Sequence, residues 1–199
     1  MAGVSLGAEG EVYMKRMVFG AAFVLLAAAL PSGASTFIEM SQGELVRHSA
    51  AAIQGKVLKT SSFWDAKGQV ILTEALVQVE DVVFGKAAAT VVTVRTFGGT
   101  VDGYTIEAHG FPRFNANDRL LLFLEPEKNG ASRVTGYQQG QFRLVKNAAG
   151  VELAVPMRDG DARVLRRDGA AATPAGAVRL DALRQSIRAE AARAGRLDN

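Results

Sequence analysis

AAAIQGKVLKTSSFWDAKGQVILTEALVQVEDVVFGK, residues 50–86, decides the fold. In its first arm Ile53, Gly55 and Val57 alternate with Gln54, Lys56 and a more mixed Leu58. In its second arm Ile71, Thr73, Ala75, Val77 and Val79 alternate with Leu72, Glu74, Leu76, Gln78 and Glu80. A period of two, with β-branched residues on one side, marks a strand with one buried face. The stretch therefore predicts two long strands. The second exceeds an average strand, so it is expected to bend or bulge and to serve two parts of a barrel. Phe84-Gly85-Lys86 ends it as a turn.

Further strands follow. Residues 90–96 alternate, with Val92 and Val94 on one side and Thr93 and Arg95 on the other. Gly98-Gly99 and Asp102-Gly103 come next, and Asp-Gly is a hairpin signal, with Tyr104, Ile106 and Ala108 opposing Thr105 and Glu107 on the returning strand. These glycines match no phosphate-binding loop, because no Lys followed by Ser or Thr closes the spacing. His109 to Phe114 is a loop and residues 115–118 a turn. Leu120-Leu121-Leu122-Phe123-Leu124 is the most apolar run outside the N-terminal segment, and its length predicts a strand buried on both faces. Shorter strand signals lie at residues 134–137, 140–145 and 151–155.

Ahead of this sheet, Ser41 and Glu44 have the spacing of a capping box, which predicts a short helix running to about Ala51. Glu44 and His48 share a face of it and are expected to be a solvated pair, since no third ligand sits nearby for a metal. After Pro156 the composition turns to Arg, Asp, Gly and Ala, so residues 157–177 are expected to be a loosely ordered linker. From about Val178 to Ala194 Leu180, Leu183 and Ile187 recur at helical spacing, with Asp181 in the first turn and Arg193 in the last. The narrow stripe is expected to dock on the barrel. Its other reading is a basic amphipathic helix for a partner or membrane surface, which would use Arg184 and Arg188.

The N-terminus suggests export. Lys15-Arg16 precedes an apolar run, VFGAAFVLLAAAL at residues 18–30, and Pro31-Ser32-Gly33-Ala34 supplies small residues for cleavage. This is the pattern of a secretory signal peptide, with a mature N-terminus expected near Ser35. Its other reading is a transmembrane anchor, but the run is short for spanning a bilayer, so no membrane span is expected after cleavage. Residues 1–13 precede a better start at Met14. Hydrophobic residues make up 48% and mean hydropathy is +0.10, and part of that excess belongs to the removable segment. Removing residues 1–34 takes away two cations and two anions, so the charge stays at +3, too mild to demand nucleic acid. Cysteine is absent, which excludes disulfides, thiolate metal sites and lipoprotein anchoring. The core alone must hold such a domain, and about 165 residues suffice.

Together these signals predict a mainly β protein: an OB-like, closed or partly open barrel of five to seven strands, with a short N-terminal helix and a C-terminal helix. The expected division is residues 1–34 extension and signal peptide, 35–156 barrel, 157–177 linker, and 178–199 amphipathic helix and tail. Ile53-Gln54-Gly55-Lys56-Val57, then VQVEDVVFG at residues 77–85, then Leu120 to Leu124, resemble the barrel half of netrin-like domains and tissue inhibitors of metalloproteinases. Pro112-Arg113-Phe114 before the leucine run is similar to uncharacterised exported bacterial proteins with a Gly-Gly turn. The resemblance covers about residues 41–146 and implies an OB-like barrel. It carries over no functional residue, because the inhibitors block zinc with an N-terminal cysteine and this chain has none.

Function is less legible. The two histidines, His48 and His109, sit in no catalytic motif, and neither Gly-x-Ser-x-Gly nor His-Glu-x-x-His occurs. No catalytic residue, cofactor or metal ligand is assigned. The expectation is an exported, periplasmic or extracellular, non-catalytic binding module for an unknown protein or envelope component, with no nucleic acid. The alternatives are a polyanion binder through the arginine-rich tail, or an enzyme with an unrecognised site. The candidate partner-binding residues are Phe63 and Trp64, expected on the loop of residues 61–68 either as a barrel plug or as a partner anchor, together with Arg184 and Arg188.

Overall fold

The computed structural model describes residues 35–87, 89–127 and 130–196. The signal-peptide expectation for residues 1–34 lies outside these. The two arms of the opening stretch are β2 (Ala51–Trp64) and β3 (Ile71–Gly85), paired antiparallel along their length. β1 (Thr36–Ile38) and α1 (Gln42–His48) precede them. β4 (Val91–Phe97) adds to β3, and a small hairpin, β5 (Gly99–Val101) with β6 (Tyr104–Ile106), follows. β7 (Arg119–Pro126) pairs antiparallel with β2, and β8 (Ser132–Val134) pairs with both β7 and β4. The ring β2-β3-β4-β8-β7 is thus a closed barrel of five strands. Its single parallel contact, β4 with β8, and its Greek-key order are compatible with an OB-like fold.

The expected bend in β3 takes the form of bulges. The register slips between Ala52/Ile53 and Gln54/Gly55, leaving Val83 and Glu80 as extra residues of β3, and slips again at Leu58 of β2. An extra residue sharpens twist and bends the strand, which lets a long ribbon curl into a barrel. The bulge at Glu80 also aims its carboxylate at Arg119 of β7, 2.9 Å away.

β7 shows why its sequence is apolar throughout. Leu120, Leu122 and Leu124 point into the barrel, where they meet Ile53, Val57, Val77 and Val94. Leu121 and Phe123 point outward into a second core with Val46, Phe84, Leu144 and Ala154. That outer core lies under the helices. The sheet continues past the barrel through β9 (Gln141–Lys146), β10 (Glu152–Pro156) and β12 (Val178–Arg179). α2 (Leu180–Arg193) then lays Leu180, Leu183, Ile187 and Ala191 on it, each buried. The docking expected of the three-residue stripe is what is found, with Ala191 as a fourth contact.

Some boundaries differ from the sequence reading. α1 has its full capping box but stops at His48, because Ser49 turns back to donate its hydroxyl to the Leu45 carbonyl and β2 begins at Ala51. The strand expected at residues 134–137 ends at Val134. Gly136 and Tyr137 then adopt left-handed backbone, and a 3-10 turn, Tyr137–Gly140, follows. The stretch 157–177 is more than a link. Its β11 (Arg163–Leu165) pairs in parallel with β1, and Leu165 bridges to Ala171. Three residues of strand between arginines are too short to show a period.

Candidate functional site

Phe63 and Trp64 are the last two residues of β2 rather than loop residues. The loop is residues 65–70, where the Asp65 carboxylate accepts the N–H groups of Gln69 (2.6 Å) and Val70 (3.0 Å). That closure holds the strands together to their tips. Both rings are half-buried on the barrel wall. Trp64 meets the exposed Tyr104 of the β5–β6 hairpin edge-on at 6.1 Å.

Register carries Phe63 further. It lies opposite Leu72 of β3, and Leu72 lies opposite Phe97 of β4. The next row in the same register is Ser61, Glu74 and Arg95. On β4, Val92, Val94 and Thr96 are buried while Val91 and Phe97 are exposed, so the row containing Phe97 faces solvent. An apolar row, Phe63–Leu72–Phe97, therefore crosses the outside of three barrel strands.

The row runs into a cleft of about 330 Å³, lined by Leu72, Phe97, Phe111, Val134 and Tyr137 with Arg95 at its edge. Phe111 packs edge-on to Phe97 at 5.2 Å and to Tyr137 at 4.9 Å, and Phe37 joins behind it. Tyr137 holds φ at 59°. Left-handed backbone costs a bulky residue about 1–3 kcal/mol, and such strain persists where surrounding structure imposes it. Gly136 before it is at φ 67°, and a Cβ there would come within 2.8 Å of the Met40 sulfur. The turn thus fixes Tyr137 with its ring against Phe111 and 46% of its surface free. Phe97 is 49% exposed.

Charge frames the cleft. The Arg95 guanidinium donates to Glu74 at 2.6 Å, reaches Glu127 at 3.5 Å, and lies 5.9 Å from the centre of the Phe63 ring. Arg133 pairs with Glu125 at 3.0 Å. Arg95 is thereby held beside the aromatic floor, while Arg133 stays more than half exposed next to it.

Arg184 and Arg188 are elsewhere. Both are on α2, which packs near the far end of β3. Arg184 pairs with Asp81, and Arg188 donates to the Val83 carbonyl at 3.2 Å. The structure does not bring them to Phe63 and Trp64, which lie at the opposite end of β3. Other tail arginines are also paired within the chain: Arg167 with Glu44, Arg179 with Asp181, and Arg193 with Glu190. Glu44 is held down at about 2, first by the Ser41 N–H, then by the Ser41 hydroxyl and Arg167.

A second cluster forms around Asp159. Its Oδ2 lies 3.2 Å from His109 Nδ1, accepts the Gly110 N–H at 3.1 Å and reaches Arg113 at 3.4 Å. Burial pushes this carboxyl up, but the N–H groups of Asp161 and Gly110, with His109 and Arg113, together hold it below the usual range. Asp161 stands 3.7 Å from the same ring nitrogen, and Glu107 stands 3.9 Å from Nε2.

The sequence reading singles out Phe63 but not Phe97, Phe111, Tyr137 or the His109–Asp159 cluster. Phe97 ends a strand whose alternation marks it as outward-facing, and that signal was available. Phe111 and Tyr137 come from separate loops, and only tertiary folding joins them.

No family model matches the chain, and no curated protein or solved structure matches it either. Among the described residues no helix is long and apolar enough to cross a membrane.

Proposed function

We propose that this chain is an exported, non-catalytic binding module on an OB-like barrel of the netrin-like kind, and that it holds a partner protein on the outer face of the ends of β2, β3 and β4 where Phe63, Leu72 and Phe97 align. The supporting observation is the solvent-facing row Phe63–Leu72–Phe97 leading into the cleft of Phe111 and Tyr137. Aromatic side chains flanked by arginine are the composition of interface centres, and exposed apolar rows on a monomer are uncommon without a partner. The rings are held by one another and by a strained turn, so little side-chain freedom is lost on contact. An aliphatic or aromatic side chain of the partner would enter the cleft, with polar groups meeting Arg95 and Arg133.

The test uses the immobilised protein and the periplasmic or culture fraction of its own cells. A partner retained by the parent should be lost from Phe97→Asp and retained by Arg184→Glu with Arg188→Glu. Loss only from the arginine variant, with salt-sensitive retention, would favour the polyanion reading and sink this one.

A further inference from the structure

The geometry points to a site for a single transition-metal dication, with Zn²⁺ as its probe, built from His109 Nδ1, Asp159 and Asp161. One ligand atom from each of these residues lies within 4.8 Å of the others. Two of the separations, 3.2 and 3.7 Å from Nδ1 to the two carboxylates, are close to a tetrahedral edge. That edge is about 3.3 Å when metal–ligand bonds are about 2.0–2.1 Å. One nitrogen and two carboxylate oxygens form a borderline donor set that leaves a fourth position open.

Two further features lie at the same site. The outer nitrogen of His109, Nε2, faces Glu107 at 3.9 Å. A metal-bound imidazole turns its other N–H to a carboxylate, and Glu107 stands one small side-chain movement from that position, while the metal would take the place of the proton that Nδ1 now shares with Asp159. Asp159 also lines a cleft of about 250 Å³ together with Gln141. Gln141 is 1% exposed, and its amide nitrogen donates to the Arg113 carbonyl, but its Oε1 has no partner among the described residues. A buried carbonyl oxygen without a donor is costly, and water in this cleft, which borders the cluster at Asp159, would satisfy it.

Arg113 is the competitor. Its guanidinium holds 3.4 Å from the Asp159 oxygen that the metal would take, yet its side chain is 60% exposed and free to swing out. The metal would therefore tie the segment after Pro156, through Asp159 and Asp161, to the loop that carries His109.

Isothermal titration of the purified chain, stripped with chelator, with ZnCl₂ is the test, and Co²⁺ absorption reports coordination. One ion per chain is expected, with a tetrahedral Co²⁺ spectrum. His109→Ala and Asp161→Asn should each weaken binding at least about tenfold, the scale on which ligand shells matter. Asp161 is exposed, so its variant should keep the parent melting temperature and separate lost ligation from lost fold. Arg113→Ala should bind more tightly. His48→Ala should bind as the parent does, and with only two histidines in the chain it is the full control for nitrogen ligation. No heat above the buffer blank, or binding that survives both His109→Ala and Asp161→Asn, would overturn the site.

Discussion

One wall of the barrel is covered and another is bare. On the covered wall the outward side chains of β7, Leu121 and Phe123, sit beneath two helices, beside Leu144 of β9 and Ala154 of β10, and are sealed from water. On the bare wall the outward side chains of β4 and of the first half of β3, up to Gln78, meet no second layer among the described residues, and Leu76, Val91 and Phe97 remain exposed. Both walls use strands of the same barrel. Apolar surface on the first is stability, because it is buried. Apolar surface on the second contributes little to folding and is available for contact.

Removing α2 should give the largest effect. Leu180, Leu183 and Ile187 are fully or nearly buried, at about 1.5–3 kcal/mol each, so the loss is about 5–9 kcal/mol. That approaches the whole stability of an ordinary domain, about 5–15 kcal/mol. A chain ending at residue 179 is expected to keep β-type circular dichroism and lose its cooperative melt. An unchanged melt would mean that the covered wall is covered in name only.

Two phenylalanines sharpen the contrast. Phe123→Ala should cost about 3–5 kcal/mol in urea unfolding, because it opens a cavity between layers. Phe97→Ala, half exposed and with one edge-on ring contact, should cost about 0.5–1.5 kcal/mol. Equal costs would erase the distinction between the walls. Inside the barrel, Leu122→Ala should cost about 2–5 kcal/mol.

The smallest effect is at the edge of the covered wall. Ser41→Ala removes the cap of α1 and should cost about 1 kcal/mol. Glu44 adds a pH signature. Its carboxyl is lowered from 4.5 to about 2, so its contribution is complete above about pH 4.5 and fades as pH falls toward 2. Melts of Glu44→Gln and the parent should converge across that window. A constant gap between them would show that the carboxylate does not matter to the fold.

The covered wall was legible in the sequence and the bare wall was not. LLLFL at residues 120–124 announces burial on both faces, and the Leu180, Leu183, Ile187 spacing announces the helix that supplies one of them. Both signals are periodic and local. The long β2–β3 ribbon was equally plain, and its excess length correctly implied bulges. The aromatic cleft depends on three rings from β4, a loop and a 3-10 turn, which are far apart along the chain. Asp159 was hidden for the same reason, inside a stretch whose composition suggests a linker. In the sequence Phe63 and Trp64 read as loop aromatics, because the Asp65 turn that extends the strands is made by one side chain.

The placement of α2 also sets an order of events. Every strand of the closed ring lies within residues 51–134, so a growing chain holds all of it while β10 and α2 are still unmade. The outer faces of Leu121 and Phe123 must then wait, wet, for residues 180–191 to arrive. A nascent chain of this protein is expected to pass through a ring-closed, half-dressed intermediate with a greasy flank, the kind of surface that holding chaperones grip.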